Sequence, residues 1–167
     1  MTRPSILREL TRIPRDASDG QILAIIRTWV DILAGGEYEL VGASLGYAMS
    51  FGQPDGASIR NALQGYQSPC YYPGVAHFTV SDWRMATGGN LAPRQRISRC
   101  EPNASRLAGA VEFDLPLNGR WSDLTAEFAW YAGEHADGAR TLRLEGISSL
   151  RQLQREADEV ECRLAAR

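Results

Sequence analysis

The chain has no lysine: all eighteen basic residues among its 167 are arginine. That excludes Schiff-base chemistry and the phosphate-binding lysine of a P-loop. A GC-rich genome, whose codons favour arginine, accounts for the bias without a functional cause. Cysteine is scarce too, and Cys70, Cys100 and Cys162 are widely separated, with no CxxC pair. Neither a zinc knuckle nor a thioredoxin-like site is indicated, and three small apolar thiols suit a reduced cytosolic protein. Two histidines, His77 and His135, are too few for a spaced ligand cluster, so no metal and no cofactor is expected. No GxSxG elbow and no glycine-rich phosphate loop occurs.

Long hydrophobic runs are also missing. The opening "MTRPSILRELTRIPRDASDG" has no continuous apolar segment of the secretory kind, and no run approaches bilayer length. A soluble, cytoplasmic protein without a membrane partner is expected. Nor is there an excess of positive charge: the formal net charge is −2, against direct binding to a phosphate backbone. Arg94, Arg96, Arg99 and Arg106 cluster locally and are read as a solvated strand face.

What is present is patterning that changes period part-way along the chain. Ile6, Leu10 and Ile13 recur at helical spacing until Pro14 stops them, which predicts a short helix or turn packed on the main body. Ser18 and Gln21 form a capping box ahead of Ile22, Ile25, Ile26, Trp29, Val30 and Leu33, and Gly35-Gly36 ends the stripe. Two shorter helices follow in "EYELVGASLG" and "ASIRNALQGY", the second with Asp55 as its expected cap. From about residue 75 the period falls to two. "AHFTVSDW", "RQRISR", "LAGAVEFDLPL", "GRWSDLTAEFAW" and "RTLRLEGI" read as strands, with Asn118-Gly119 a tight hairpin turn. Ser149 and Gln152 repeat the capping-box form before Leu150, Leu153, Ala157, Val160 and Leu164, predicting an amphipathic helix over about 149–166. Residues 1–167 are expected to form one α+β domain: N-terminal helices on a curved antiparallel sheet, cone-shaped and NTF2-like in pattern, with a C-terminal helix.

"DILAGGEYELVGASL", "SIRNALQGY", "GRWSDLTAEFAW" and "TLRLEGISSL" follow one another in that order. Together they resemble a family of small bacterial domains of unknown function. Its members pair an "aGDYEaL"-type helix corner with an "SDLT" strand and a closing "L-D-D-I-H-V-L" strand. The resemblance spans about residues 20–150 and implies an association with immunity proteins, which protect bacteria from secreted toxins. Gly146 and Ser148 stand where the family's Asp and His sit, so any chemistry of that pair would be lost here.

The candidate site residues divide into two sets. Counting outward from the Asn118-Gly119 turn pairs Asp114 with Asp123. With Glu112 and Glu127 they form an expected acidic stripe on the polar face of the sheet. Such a face suits an inhibitor that covers the basic cleft of a cognate toxin, with Tyr71, Tyr72 and Trp83 as aromatic anchors. The alternative is a small-molecule pocket or enzyme using Tyr71, His77 and Asp82. His77 and Asp82 have opposite strand parity, which argues against a dyad. No catalytic residue is assigned.

Overall fold

A computed structural model describes residues 10–53, 55–66, 72–88 and 93–149. It is an α+β structure of three helices and a curled five-stranded antiparallel sheet, a half-barrel. In chain order the elements are β1 (Arg12–Ile13), α1 (Asp19–Ala34), α2 (Tyr38–Leu45), a 3-10 turn (Ala48–Ser50), α3 (Asp55–Gly65), β2 (Gln95–Arg99), β3 (Leu107–Leu117), β4 (Arg120–Tyr131) and β5 (Arg140–Ser148). The strands lie in the order β1-β5-β4-β3-β2. The expected C-terminal helix lies outside the described residues, except for Ser149.

Helix α1 forms where the capping box predicts. Ser18 Oγ accepts from the Gln21 backbone N–H, and the Gln21 side chain accepts from the Ser18 N–H. Its buried residues are Ile22, Ile26, Trp29, Val30 and Leu33, and Trp29 meets Phe128 of β4 edge-to-face at 4.9 Å. Arg27–Gln95 and Arg99–Asp19 contacts tie the same helix to β2. Helices α2 and α3 cross where Gly42 meets Gly56: a Cβ on Gly42 would sit 2.6 Å from the Gly56 nitrogen. A single buried cluster joins Trp29, Ile59, Leu63, Val111, Phe113, Phe128, Trp130 and Leu144.

Three expectations are corrected. Ile13 does not end a helix. Arg12–Ile13 pairs with Thr141 and Arg140 on the open edge of β5, where backbone hydrogen bonds outweigh a short pattern about to meet Pro14. "AHFTVSDW" alternates as expected, with Phe78 and Val80 buried, but forms no ladder strand. It wraps the β3–β4 hairpin end instead. Ser81 N–H donates to Pro116 O, Asn118 N–H to Thr79 O and Asn118 Nδ2 to His77 O.

The hairpin register also departs from the counted one. The turn has Asn118 and Gly119 at positive φ, and Leu117–Arg120 and Pro116–Trp121 pair as counted. Asp114, however, pairs with Thr125 rather than Asp123. Strand β4 carries three residues, Ser122, Asp123 and Leu124, opposite the single Leu115 of β3. Ser122 Oγ holds this bulge by donating to Leu115 O at 2.7 Å and accepting from Leu124 N–H. A second irregularity lies between β4 and β5. Glu127 pairs with Gly146 and Phe128 with Leu144, leaving Glu145 as the extra residue.

Candidate functional site

The two bulges separate the four predicted acids into different environments. Asp114 is 0 % exposed, and both carboxyl oxygens are bonded: Thr125 Oγ1 donates at 2.7 Å and the Arg94 backbone N–H at 2.6 Å. Asp123 is 1 % exposed and accepts a hydrogen bond from the Tyr66 hydroxyl at Oδ1, while its Oδ2 has no hydrogen-bond partner. These two acids are structural groups inside the fold, not the solvated stripe that strand alternation predicted. Glu112 is half-buried, 3.4 Å from Arg94 Nη1. Glu127 is half-buried on the far side of the second bulge.

Tyr72 is a core residue, 4 % exposed, and stacks edge-on with Tyr66 and Phe78. Its hydroxyl donates to Trp121 O at 3.1 Å. Burial pushes its pKa up to about 12; the Arg120 charge opposes this and the Asp123 charge adds to it. Trp83 is half-buried beside two guanidinium groups, Arg27 at 4.7 Å and Arg84 at 4.4 Å from its ring centre. Tyr71 lies outside the described residues. His77 and Asp82 are both exposed and are not hydrogen-bonded to each other. The Arg84 backbone N–H holds the Asp82 carboxyl below the usual range; desolvation opposes it, and the Arg84 side chain adds to the lowering.

A cavity of about 370 Å³ opens elsewhere, between the 3-10 turn, α3 and the β4–β5 pair. Tyr47, Met49 and Phe51 form one wall, Ser58 and Ala62 a second, and Glu127 with residues 145–148 the third. The chain builds it from three local features. Tyr47 bridges to Leu144, tying the 3-10 turn to β5. The β5 irregularity supplies Glu145, and Gly146, paired with Glu127, has no side chain to fill the space beside that carboxylate. A Cβ at position 146 would lie 3.7 Å from Glu127 Oε2.

The carboxylates of this cavity touch neutral groups. Ser148 Oγ donates to Glu127 Oε1 at 3.4 Å, and Tyr131 OH donates to Glu145 Oε1 at 2.9 Å. No arginine among the described residues lies within ion-pair distance of either. Both phenols beside them are pushed up. Burial raises Tyr47, a backbone hydrogen bond at Ile147 opposes, and the Glu127 charge adds to the rise. Burial raises Tyr131, followed by its hydrogen bond to Glu145 and the charge there, against Arg143. On the rim, Phe51 is 83 % exposed and Met49 48 %.

Of the predicted residues that are described, Glu127 alone lines this cavity. Glu145, Tyr47, Met49 and Phe51 were missed. The legible signal was Gly146, since a glycine inside an alternating strand marks a bulge or a close approach. Among the described residues there is no group of three or more potential metal ligands, and no helix is long and apolar enough to cross a membrane. In comparisons with known proteins, no family model, no curated protein and no solved structure matches the chain.

Proposed function

We propose that this chain is a non-catalytic, immunity-type binding protein of NTF2-like, cone-shaped fold that neutralises a cognate bacterial toxin in the cytoplasm. One observation carries the reading: an open cavity holds two half-buried carboxylates with no arginine among the described residues in ion-pair reach, under a rim that exposes Phe51 and Met49. Exposed aromatic and methionine side chains around a polar centre are the composition of a protein-binding surface. Negative charge at its centre complements the basic clefts of toxins that act on nucleic acids. The sequence resemblance to immunity-associated domains points the same way. Of the predicted stripe of Glu112, Asp114, Asp123 and Glu127, this interface keeps Glu127 and adds Glu145 and the 3-10 turn.

Co-expression with the toxin domain encoded beside this chain is the test. A co-purifying complex that dissociates when Phe51→Ala and Glu127→Gln are combined is expected. Lack of any complex with the wild-type chain sinks the reading.

The cavity also favours a second reading, an NTF2-like small-molecule binder, because about 370 Å³ lies within the range of ligand pockets. Its site is the Glu127–Glu145 cavity rather than Tyr71, His77 and Asp82. A toxin complex that forms normally while a small molecule occupies the cavity favours this second reading.

A further inference from the structure

The molecule shows how it holds its own guanidinium groups. Arg84 bonds both oxygens of Asp31 at 2.8 and 2.9 Å, reaches Asp82 at 3.1 Å, and lies 4.4 Å over the Trp83 ring. Arg143 pairs with Glu134 at 2.8 Å and lies 5.2 Å over the Tyr131 ring. In both cases the cation is bracketed by a carboxylate and an aromatic face. The cavity offers the same components with no arginine among the described residues: Glu127 and Glu145 on one side, Tyr47 and exposed Phe51 on the other.

We infer that the cavity is a receptor site for an arginine side chain presented by the protein partner. This inference rests on the binding-protein reading and specifies its central contact. Three features select arginine. Two carboxylates on neighbouring strands match a planar fork of donors better than a single ammonium. The aromatic wall accepts the flat guanidinium by stacking, as Trp83 accepts Arg84. Met49 and the Ala62 methyl give the aliphatic stem apolar surface to cover. The nearest basic side chain on β5, Arg143, is already held by Glu134 and the Tyr131 ring.

The experiment titrates the full chain with acetyl-arginine-amide, following backbone amide resonances by NMR. Acetyl-citrulline-amide, which keeps the shape and loses the charge, is the control. Expected are shifts confined to residues 47–51, 127 and 145–148, with citrulline binding at least tenfold more weakly, ~1.4 kcal/mol. The Glu127→Gln/Glu145→Gln variant should lose the same tenfold for arginine and leave the citrulline response unchanged. Equal binding of the two probes by the wild-type chain, or shifts that map elsewhere, overturns the site without reference to any variant. Agmatine binding a hundredfold more tightly than the capped residue assigns the cavity to a free amine and overturns the partner-borne source. A gain of tenfold or more in Arg151→Ala/Arg155→Ala assigns it to the chain's own arginines, and also overturns it. Failure of the toxin complex leaves this titration intact, so the two readings fail separately.

Discussion

Replacing Tyr66 by Phe removes one oxygen atom and tests whether Asp123 is held inside the fold by that hydroxyl. Tyr66 and Asp123 are 4 % and 1 % exposed, and Asp123 Oδ2 has no hydrogen-bond partner. A buried hydrogen bond to a charged group contributes about 1.5–3 kcal/mol, and stranding its acceptor costs the desolvation of that group as well. Tyr66→Phe is therefore expected to destabilise the fold by roughly 2–3 kcal/mol, with little change of packing against Tyr72 and Phe78. Asp123→Asn on that background removes the acid and should recover about 1 kcal/mol. Urea unfolding followed by tryptophan fluorescence measures all four corners of the cycle. A Tyr66→Phe loss below about 0.5 kcal/mol, or strictly additive single changes, would refute the reasoning.

Two further outcomes follow from the geometry. Gly109→Ala should cost about 3 kcal/mol or more, because its methyl would run into the Trp130 indole and lie 2.5 Å from Ser98 O; Trp130→Phe on that background should restore part of the thermal midpoint. Tyr72, with its pKa raised to about 12, binds its proton more tightly folded than unfolded, so its contribution is full below pH 10 and lost as pH rises from 10 to 12. The unfolding free energy from denaturant titrations should fall over that window by roughly 2 kcal/mol, and Tyr72→Phe should flatten the fall.

Much of the fold was legible because local rules and tertiary packing agree. The Ser18–Gln21 box, the α1 stripe and the Asn118-Gly119 turn each announce one structure, and each forms. The site was less legible because strand counting assumes an uninterrupted pleat. Ser122, Asp123 and Leu124 crowd opposite Leu115, and the pairings from Asp114 to Gly109 are shifted by two. Ser122 bonding its own strand's neighbourhood is a local competition that a hydropathy pattern does not carry. Asp114 was correctly placed on a strand and incorrectly placed in water. Its partners come from Arg94, twenty residues earlier, and from Thr125 across the shifted register. Glu145 was hidden by the same device, since a bulge changes which way a side chain is aimed without changing the sequence around it.

The clasp on the hairpin end carries a consequence for anyone cutting or extending this chain. A two-residue Asn-Gly turn is ordinarily the first place to nominate for an inserted epitope or new termini, because loop tips tolerate change. Here the tip is internal to a hydrogen-bonded knot. Thr79 N–H donates to Asn118 Oδ1, Gly119 N–H to Ser81 Oγ, Thr87 N–H to Gly119 O and Trp121 N–H to Thr87 O. Opening the turn would release the 77–87 strap together with it, and Phe78 and Val80 would lose the lid position that keeps them dry. The tolerant joint lies at the other end of the sheet. The β4–β5 connection there, with exposed Gly133, Glu134, Ala136 and Asp137, is the better place to break the chain.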